Sequence, residues 1–353
     1  MIQNLRVCLG EVNLMQNGSE SGQRAAFPQW YCCEHQCEMT YSATAICCPK
    51  GHVFPVRDDI PRFVDSPSYA AHFGEQWRRY RRTQLDSYTG KPISRVRLQR
   101  CFGNLWPELC GSQILECGCG AGRFTEVLLS EGASVTSIDL SEAVDVNVEM
   151  FPLGDAHRAA QADIFSLPFA PGRFDFVVCL GVIQHTPSPE RTIAKLFEQV
   201  RPGGWLILDH YTYEIGWYTK SAPLFRSILK RMPTDRSLRV TEALVNAALP
   251  VHRAVANKRL LRAVFSRISP VLSHYVTYPE LPDDLQRQWA LLDTHDSLTD
   301  WYKHFRTRGQ VHRILANLGA ENIGAVYAGN GVEARAKRPS NRASGLSAIQ
   351  PIA

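Results

Sequence analysis

The clearest pattern in the 353-residue chain is a regular alternation of short apolar runs and helical segments between residues 113 and 210. Such alternation is typical of a parallel sheet covered by helices. The predicted strands are Gln113–Glu116, Ser134–Ile138, Arg158–Ala162, Phe174–Cys179 and Trp205–Asp209, with helices at about 122–130, 141–150 and 189–200. The pattern therefore predicts an α/β core.

The alternation stops at residue 211 and resumes near residue 306. The sequence between these points is helical and punctuated by prolines, which predicts a helical insert over 211–305. A helix at about 308–318 then precedes two strands, Ile323–Tyr327 and Gly331–Ala336. With these two strands, the sheet is expected to have seven.

Composition divides the rest of the chain. A polar extension comes first, then a cysteine-rich segment, then a segment rich in arginine and aromatic residues, and the chain ends in a tail poor in apolar residues that is predicted to be disordered. The predicted regions are a 1–27 extension, a 28–65 module, a 66–112 helical linker or lid, a 113–210 and 306–337 core, a 211–305 insert and a 338–353 tail.

Apolar residues make up 44% and charged residues 21% of the chain, as in ordinary globular proteins. A net charge of +5 is too small to indicate nucleic-acid binding. The sequence shows no signal-peptide pattern and no apolar run of roughly 20 residues that could span a membrane. We therefore expect a cytoplasmic protein, in which clustered cysteines indicate metal rather than disulfides.

A glycine-rich loop follows the first predicted strand and opens the first helix. It includes Gly118, Gly120 and Gly122, and glycine lets a backbone turn sharply and approach a ligand closely. A loop of this kind alone is weak evidence, because many nucleotide-binding folds have one. Phosphate binding is disfavoured here, since no Lys-Ser/Thr follows and Glu116 would repel a pyrophosphate.

Two acids stand at the ends of the next two strands. Asp139 comes 17 residues after Gly122, where a carboxylate can accept hydrogen bonds from both ribose hydroxyls. Asp163 follows the third strand and could accept from an adenine amino group, although such an acid often only caps a turn.

This ordered set resembles the class I S-adenosylmethionine-dependent methyltransferases, closely over 110–210 and by pattern over 308–337. The resemblance implies a Rossmann-like seven-stranded sheet and S-adenosyl-L-methionine as the methyl donor. It implies that Glu116 lies near the methionine amino group, that the three glycines lie under the cofactor, that Asp139 binds ribose, and that Asp163 and Ile164 flank adenine. The further residues expected to contact the cofactor are Cys119, Leu140, Leu180 and Gln184.

The cysteine-rich segment contains two close pairs of potential zinc ligands, Cys33 with Cys37 and Cys48 with His52. Zinc is usually held by four nitrogen or sulfur ligands arranged as two such pairs. The alternative ligands are Cys32, His35 and Cys47, and a cysteine-rich turn without metal is also open. The segment resembles small zinc-ribbon-like activators of methyltransferases and the N-terminal zinc module of bacterial 23S rRNA guanine methyltransferases, which implies a structural Zn²⁺.

The acceptor should face the carboxyl edge of the sheet, where open α/β folds bind ligands. His185, after the fourth strand, is the first candidate for a general base, and the alternative is a histidine that packs beside the cofactor. The stretch from Asp293 to Phe305 either returns as a lid or starts a helix at Asp296. Further candidates are His295 and Tyr211 for catalysis, and His210, Tyr213, Asp296, Trp301, Tyr302 and His304 for acceptor binding. The stretch Phe73–Tyr80 is either a second lid or a packed helix.

Between Lys220 and Arg267 the insert has eleven lysines and arginines but two acids. Two segments, near 224–232 and 260–268, are amphipathic. Either their apolar faces pack together under a solvated basic face, or the region meets an anionic acceptor, anionic lipid or RNA.

Three functions remain open. The first is methylation of a small-molecule acceptor, such as a natural product, saccharide or lipid-linked precursor, which the long insert favours. The second is RNA methylation, favoured by the zinc module and the basic insert. The third is a cofactor-binding activator of another methyltransferase. Peripheral membrane contact and the oligomeric state also stay open.

Overall fold

The structure is a computed structural model that describes residues 27–64, 71–213, 220–329 and 331–340. Most of the 1–27 extension and most of the 338–353 tail lie outside the described residues. The cysteine-rich segment forms six short strands, β1 (Tyr31–Cys32), β2 (Cys37–Glu38), β3 (Thr40–Tyr41), β4 (Ala45–Cys47), β5 (Val53–Arg57) and β6 (Ile60–Pro61). Helices α1 (Ala71–Arg79), α2 (Asp86–Thr89) and α3 (Ile93–Phe102) lead into the core.

The core alternates strands and helices as the sequence predicts. Its elements are β7 (Gln113–Cys117), α4 (Thr125–Ser130), β8 (Ser134–Asp139), α5 (Ala143–Met150), β9 (His157–Gln161), β10 (Phe174–Cys179), α6 (Pro189–Gln199) and β11 (Val200–Tyr211). After the insert the chain adds α11 (Arg308–Asn317), β12 (Glu321–Ala328) and β13 (Gly331–Lys337). Strand β11 begins at Val200 rather than Trp205, because the Arg-Pro-Gly-Gly turn is itself part of the strand.

The sheet has seven strands in the order β12-β13-β11-β10-β7-β8-β9, and β13 runs antiparallel to both neighbours. The predicted seven-stranded α/β sheet is therefore confirmed. Successive side chains of β7 pack on opposite faces of the sheet, since Ile114 belongs to one apolar cluster and Leu115 to another. Strand β7 lies in the middle of the sheet and all five of its residues are buried, so its glycine-rich end opens at the sheet's centre.

The N-terminal strands pack on the same core. Trp30 stacks on Phe169 with ring centroids 5.3 Å apart, and the Tyr31 amide donates to the Pro168 carbonyl at 2.9 Å. Arg62 forms a parallel bridge with Gln161 beside β9. The cysteine-rich segment thus shares its apolar core with the sheet.

The described residues of the insert include the helices α7 (Ala222–Leu229), α8 (Thr234–Val255), α9 (Arg259–Ile268) and α10 (Asp283–Thr299). Helices α8 and α10 pack through Leu238, Val245 and Leu291. Asp296 lies in the last turns of α10. The alternative prediction of a helix that starts at Asp296 is therefore wrong, because the apolar residues that drive this helix precede that position. In the described part of the chain, no helix combines the length and apolarity needed to span a membrane.

Candidate functional site

A cavity of 940 Å³ lies between the carboxyl ends of the central strands and the helical insert. This volume is near the upper end of the range for small-molecule sites. One wall is built from the residues that follow β7, β8, β9 and β10, and the opposite wall from α9 and α10. The sheet-side residues are Gly118, Cys119, Gly120, Asp139, Leu140, Asp163, Ile164, Phe165, Leu180, Gly181 and Val182.

Glycine is required in the loop after β7. Gly118 has a φ of +78°, and a Cβ placed there would lie 2.2 Å from Cγ2 of Val182. Gly122 has a φ of +96°, and a Cβ there would lie 2.4 Å from the Phe151 ring. Only glycine adopts such angles without strain and leaves this space. Gly118 and Gly122 therefore let the loop pack closely against Val182 and Phe151, and the backbone at Gly118 lines the cavity.

Asp139 and Asp163 accept hydrogen bonds from backbone amides at the carboxyl edge of the sheet. Asp139 accepts hydrogen bonds from the Ser141 amide at 2.8 Å and the Gly120 amide at 3.0 Å. Burial raises the pKa of Asp139, and these hydrogen bonds act against that rise. Asp163 accepts from the Phe165 amide at 2.9 Å. Both acids line the cavity, where spare carboxylate lone pairs can meet hydroxyl or amino donors.

Glu116, at the end of β7, is fully enclosed by its neighbours. Its carboxylate is buried beneath the loop, where Oε2 accepts from the Thr125 hydroxyl at 2.6 Å and the Ser137 hydroxyl at 3.4 Å. Its Oε1 atom is buried and has no hydrogen-bond partner among the described residues. Burial raises the pKa of Glu116 to about 7. Glu116 thus links β7 to α4 and β8 through these hydrogen bonds and does not line the cavity.

Of the other predicted cofactor contacts, some line the cavity and some do not. Gly118, Cys119 and Gly120 line the cavity, as do Leu140, Ile164 and Leu180, whereas Gly122 and Gln184 do not. The amide of Gln184 is fully buried and has no partner among the described residues. The residues fit S-adenosyl-L-methionine, because a bare glycine backbone and two strand-end carboxylates suit its apolar and hydrogen-bonding parts.

The acceptor end of the cavity is built around His185, which is buried and lines the wall. Its Nδ1 atom lies 3.1 Å from the Asp300 carboxylate and 3.2 Å from the Tyr302 carbonyl oxygen. The buried carboxylate of Asp300 also pairs with Arg226 of α7 and with Lys303. This network ties the insert to the sheet edge and fixes the orientation of the imidazole.

The charges around His185 oppose the effect of its burial. Burial alone would lower the pKa of His185, but the hydrogen bond to Asp300 and the charge of Asp296 raise it. Asp296 lines the cavity and makes no hydrogen bond or ion pair to another described residue through its carboxylate. Burial raises the pKa of Asp296 to about 6, and the charge of His185 opposes that rise. The cavity therefore holds an imidazole and a carboxylate whose pKa values are both raised by their surroundings.

Aromatic and cationic side chains complete this end of the cavity. The Tyr211 ring meets the His185 ring edge-on with centroids 5.3 Å apart. The Lys303 Nζ atom lies 5.8 Å from the Tyr211 ring centroid and 3.1 Å from Asp300. Tyr211, Lys303 and Phe305 all line the cavity.

Several predicted acceptor residues do not line the cavity. His295 is buried within the insert, where Nδ1 bonds to the Gln76 side chain and Nε2 lies 3.0 Å from the Ser237 hydroxyl. Burial lowers the pKa of His210 to about 4. The residues of the predicted set that lie outside the cavity wall are His210, Tyr213, His295, Trp301, Tyr302 and His304.

The predicted second lid contributes Gln76 and Trp77 of α1 to the wall. Sequence reasoning missed Arg97 and Arg123, which also line it. Arg97 pairs with buried Asp209 at the end of β11. An acid at a strand end was a visible signal for this pair, but no sequence pattern indicated which arginine meets it.

The cysteine-rich segment forms a second candidate site. Cys32, His35 and His52 place one potential ligand atom each within 4.8 Å of one another. The thiols of Cys37 and Cys48 lie 3.4 Å apart, and the Cys48 sulfur lies 3.2 Å from Nδ1 of His35. Three sulfurs and an imidazole at these separations fit a tetrahedral zinc site.

Cys33, which the sequence analysis favoured as a ligand, does not lie in this cluster. Its thiol donates to the Leu167 carbonyl at 2.8 Å, on the side of the sheet. Cys32 is paired directly opposite Cys37 in the β1–β2 register. Side chains alternate along an extended chain, so Cys32 and Cys33 cannot both turn toward Cys37.

Comparison with known proteins agrees with the geometry of the sheet-side wall. Residues 115–208 match the family model described as a methyltransferase domain. Ubiquinone biosynthesis O-methyltransferase of Aromatoleum aromaticum is 36% identical over 130 residues, which are 35% of this chain and 55% of that protein. The protein of the same name from Thiobacillus denitrificans is 31% identical over 129 residues, again 35% and 55% of the two chains.

The chain thus spans about half the length of these curated relatives. Among solved structures, it is similar to magnesium protoporphyrin IX methyltransferase of Synechocystis, with 18% identity, a TM-score of 0.39, and coverage of 76% of this chain and 96% of that one. It is similar to human N-acetylserotonin methyltransferase with 14% identity, a TM-score of 0.42, and coverage of 76% and 57%. The residues that match the methyltransferase-domain model, 115–208, end before the insert.

Proposed function

We propose that this protein is an S-adenosylmethionine-dependent methyltransferase that methylates a hydroxyl group of a small-molecule acceptor. The observation that carries the proposal is the continuity of the cavity. One space joins the glycine loop, Asp139 and Asp163 to His185 and Asp296. A donor and an acceptor can therefore meet in a single site closed by the insert.

When bound, S-adenosyl-L-methionine supplies a methyl group already activated on a sulfonium. The chain's residues must then orient the acceptor, exclude water and remove a proton from the hydroxyl. Nδ1 of His185 donates to the Tyr302 carbonyl oxygen beside the Asp300 carboxylate, so the neutral imidazole carries its proton on Nδ1 and takes up a further proton at Nε2. Asp296 stabilises the imidazolium that forms and offers a carboxylate to the acceptor.

Oxygen as the methylated atom is supported by the relatives. Proteins named ubiquinone biosynthesis O-methyltransferase are 31–36% identical to this chain over 129–130 residues. The alignments cover about a third of the chain, so the acceptor itself is a proposal for this chain. A base beside the cavity suits a hydroxyl acceptor, whose proton must leave as the methyl group arrives.

The test is to incubate the protein with methyl-labelled S-adenosyl-L-methionine and cell extract separated into RNA and small-molecule fractions. We expect label in a small molecule, bound through an ether or ester oxygen, and its loss in the His185→Ala variant. Label in RNA would replace the proposal with RNA methylation. Cofactor binding without transfer to any fraction would favour an activator.

We further propose that the cysteine-rich segment binds one structural Zn²⁺ through Cys32, Cys37 and Cys48, with His52 or His35 as the fourth ligand. The supporting observation is the convergence of these ligand atoms on one point. Such a site would crosslink β1, β2 and the turn after β4, elements too short to fold on their own.

A further inference from the structure

Helix α9 is amphipathic, but it exposes the apolar face that a packed helix would bury. None of its residues is buried. Leu260, Leu261, Val264 and Ile268 are 82%, 54%, 59% and 65% exposed, respectively. Their spacing places them on one face of the helix. The expectation that this face packs against the other helices of the insert is therefore wrong for α9.

The opposite face of α9 forms part of the cavity. Arg259, Arg262, Ala263 and Ser266 line the wall. An apolar face thus points away from the protein while the polar face of the same helix covers the proposed active site. Among the residues that the structure describes, none buries the apolar face of α9.

The exposed apolar surface continues onto α7. The Ser221 amide donates to the Arg267 carbonyl at 2.8 Å, and the Ser221 hydroxyl donates to the Ile268 carbonyl at 2.6 Å. Helix α7 therefore begins beside the end of α9, and its Leu224 and Ile228 are 66% and 51% exposed. Contiguous apolar surface of this kind marks an interaction site.

The charge around this surface has one sign. From Lys258 to Ile268 the chain has four basic residues and no acid. Within the described parts of the chain, Lys258, Arg259, Arg262 and Arg267 form no ion pair with a carboxylate. Arg259 and Arg262 line the cavity, whereas Lys258 and Arg267 are exposed near the two ends of α9 and can meet an anionic partner without first breaking an ion pair.

We propose that the outward face of α9, with the adjoining end of α7, docks on an anionic lipid bilayer, and that the acceptor enters the cavity from that bilayer. Aliphatic side chains flanked by lysine and arginine are typical of helices that lie in a membrane interface. Exposed aromatic residues, which protein interfaces favour, are absent from the described face of α9. The entry of the acceptor from the bilayer rests on the proposed function. The docking of α9 on the bilayer does not.

The test is vesicle flotation of the full chain with phosphatidylcholine vesicles and with equimolar phosphatidylcholine–phosphatidylglycerol vesicles. We expect binding to the mixed vesicles, weaker binding to phosphatidylcholine alone, and weakening by added salt. The Leu260→Asp variant should lose about tenfold or more of its binding, because a leucine side chain would no longer enter the bilayer. Val326→Asp, at a residue 53% exposed on β12, is the matched control and should bind as the wild type does.

Sedimentation velocity separates the bilayer from a second copy of this chain. A wild-type dimer that Leu260→Asp converts to monomer, without vesicle binding, would overturn the proposal. Equal binding by wild type and Leu260→Asp would overturn it too. Calorimetric titration with S-adenosyl-L-methionine shows whether the variant is folded. Vesicle binding without cofactor binding would refute the proposed function and leave the docking surface standing.

Discussion

At the residue scale, His185 lies beside two acids, Asp296 and Asp300, at the end of the cavity that is proposed to hold the acceptor. The Asp300 carboxylate lies 3.1 Å from Nδ1 of His185. Asp296 acts through its charge, because its carboxylate lies in the cavity and favours the protonated form of the histidine. The roles of the two acids can therefore be separated by experiment.

Replacement of Asp296 by Asn should lower the pKa of His185, because it removes a negative charge that stabilises the imidazolium. NMR titration of the His185 ring nitrogens measures this directly and needs no acceptor. Asp293→Asn is the matched control, since Asp293 pairs with His274 at 2.9 Å and should leave His185 unchanged. An unchanged His185 titration in Asp296→Asn would show that the two groups are not coupled.

Glu116 should make the free energy of unfolding depend on pH. Its pKa rises from 4.5 to about 7 on folding, so the folded state favours the protonated acid. Stability from this group is present below pH 4.5 and is lost as the pH rises through 7. The loss amounts to roughly 3 kcal/mol at most, from 1.36 kcal/mol per pKa unit.

The Glu116→Gln variant should therefore gain stability relative to wild type as the pH rises, measured by denaturant unfolding at several pH values. Glu108→Gln, at an exposed carboxylate, is the control and should follow the wild type throughout. A constant difference between Glu116→Gln and wild type would contradict the buried, protonatable carboxylate.

At the element scale, alternation along β1 decides which cysteine can bind metal. The sequence has two adjacent cysteines, and the predicted ligand, Cys33, is separated from Cys37 by three residues, where two is commoner. The register of β1 with β2 instead places Cys32 opposite Cys37. Spacing alone could not decide which cysteine faces Cys37, because the direction of each side chain depends on where strand β1 ends.

The two cysteines make a matched pair of variants for the zinc proposal. Purified wild-type protein should contain one equivalent of zinc, and Cys32→Ser should lose most of it and melt at a lower temperature. Cys33→Ser should keep the metal, since its thiol only donates to the Leu167 carbonyl. Metal analysis that shows zinc lost from Cys33→Ser and kept in Cys32→Ser would reverse the assignment.

The core elements were predictable because apolar runs and periodicity directly determine strands and helices. Phe174–Cys179 was predicted with its observed bounds. The insert was less predictable. Its segments 224–232 and 260–268 were identified as amphipathic, but the sequence does not specify which neighbour, if any, covers an apolar face. The exposed face of α9 is visible only once the helices are packed.

At the scale of the whole molecule, the site forms where the carboxyl edge of the sheet meets the helical insert. The sheet edge, with Gly118, Asp139 and Asp163, lies in the span that matches a methyltransferase domain. The insert adds Asp296 and Asp300 from nearly 300 residues into the chain. Strand-end patterns predicted the first set, whereas the second depends on long-range packing that no local pattern encodes.

The central claim is that this cavity binds S-adenosyl-L-methionine at the sheet edge, and calorimetric titration of the cofactor tests it most directly. We expect saturable binding at one site per chain. Asp139→Asn should weaken it about tenfold or more, because a hydrogen bond to a charged acceptor is lost. Asp155→Asn, at an exposed acid outside the cavity, should bind as the wild type does. No binding by the wild type, or equal affinity in Asp139→Asn, would contradict the account.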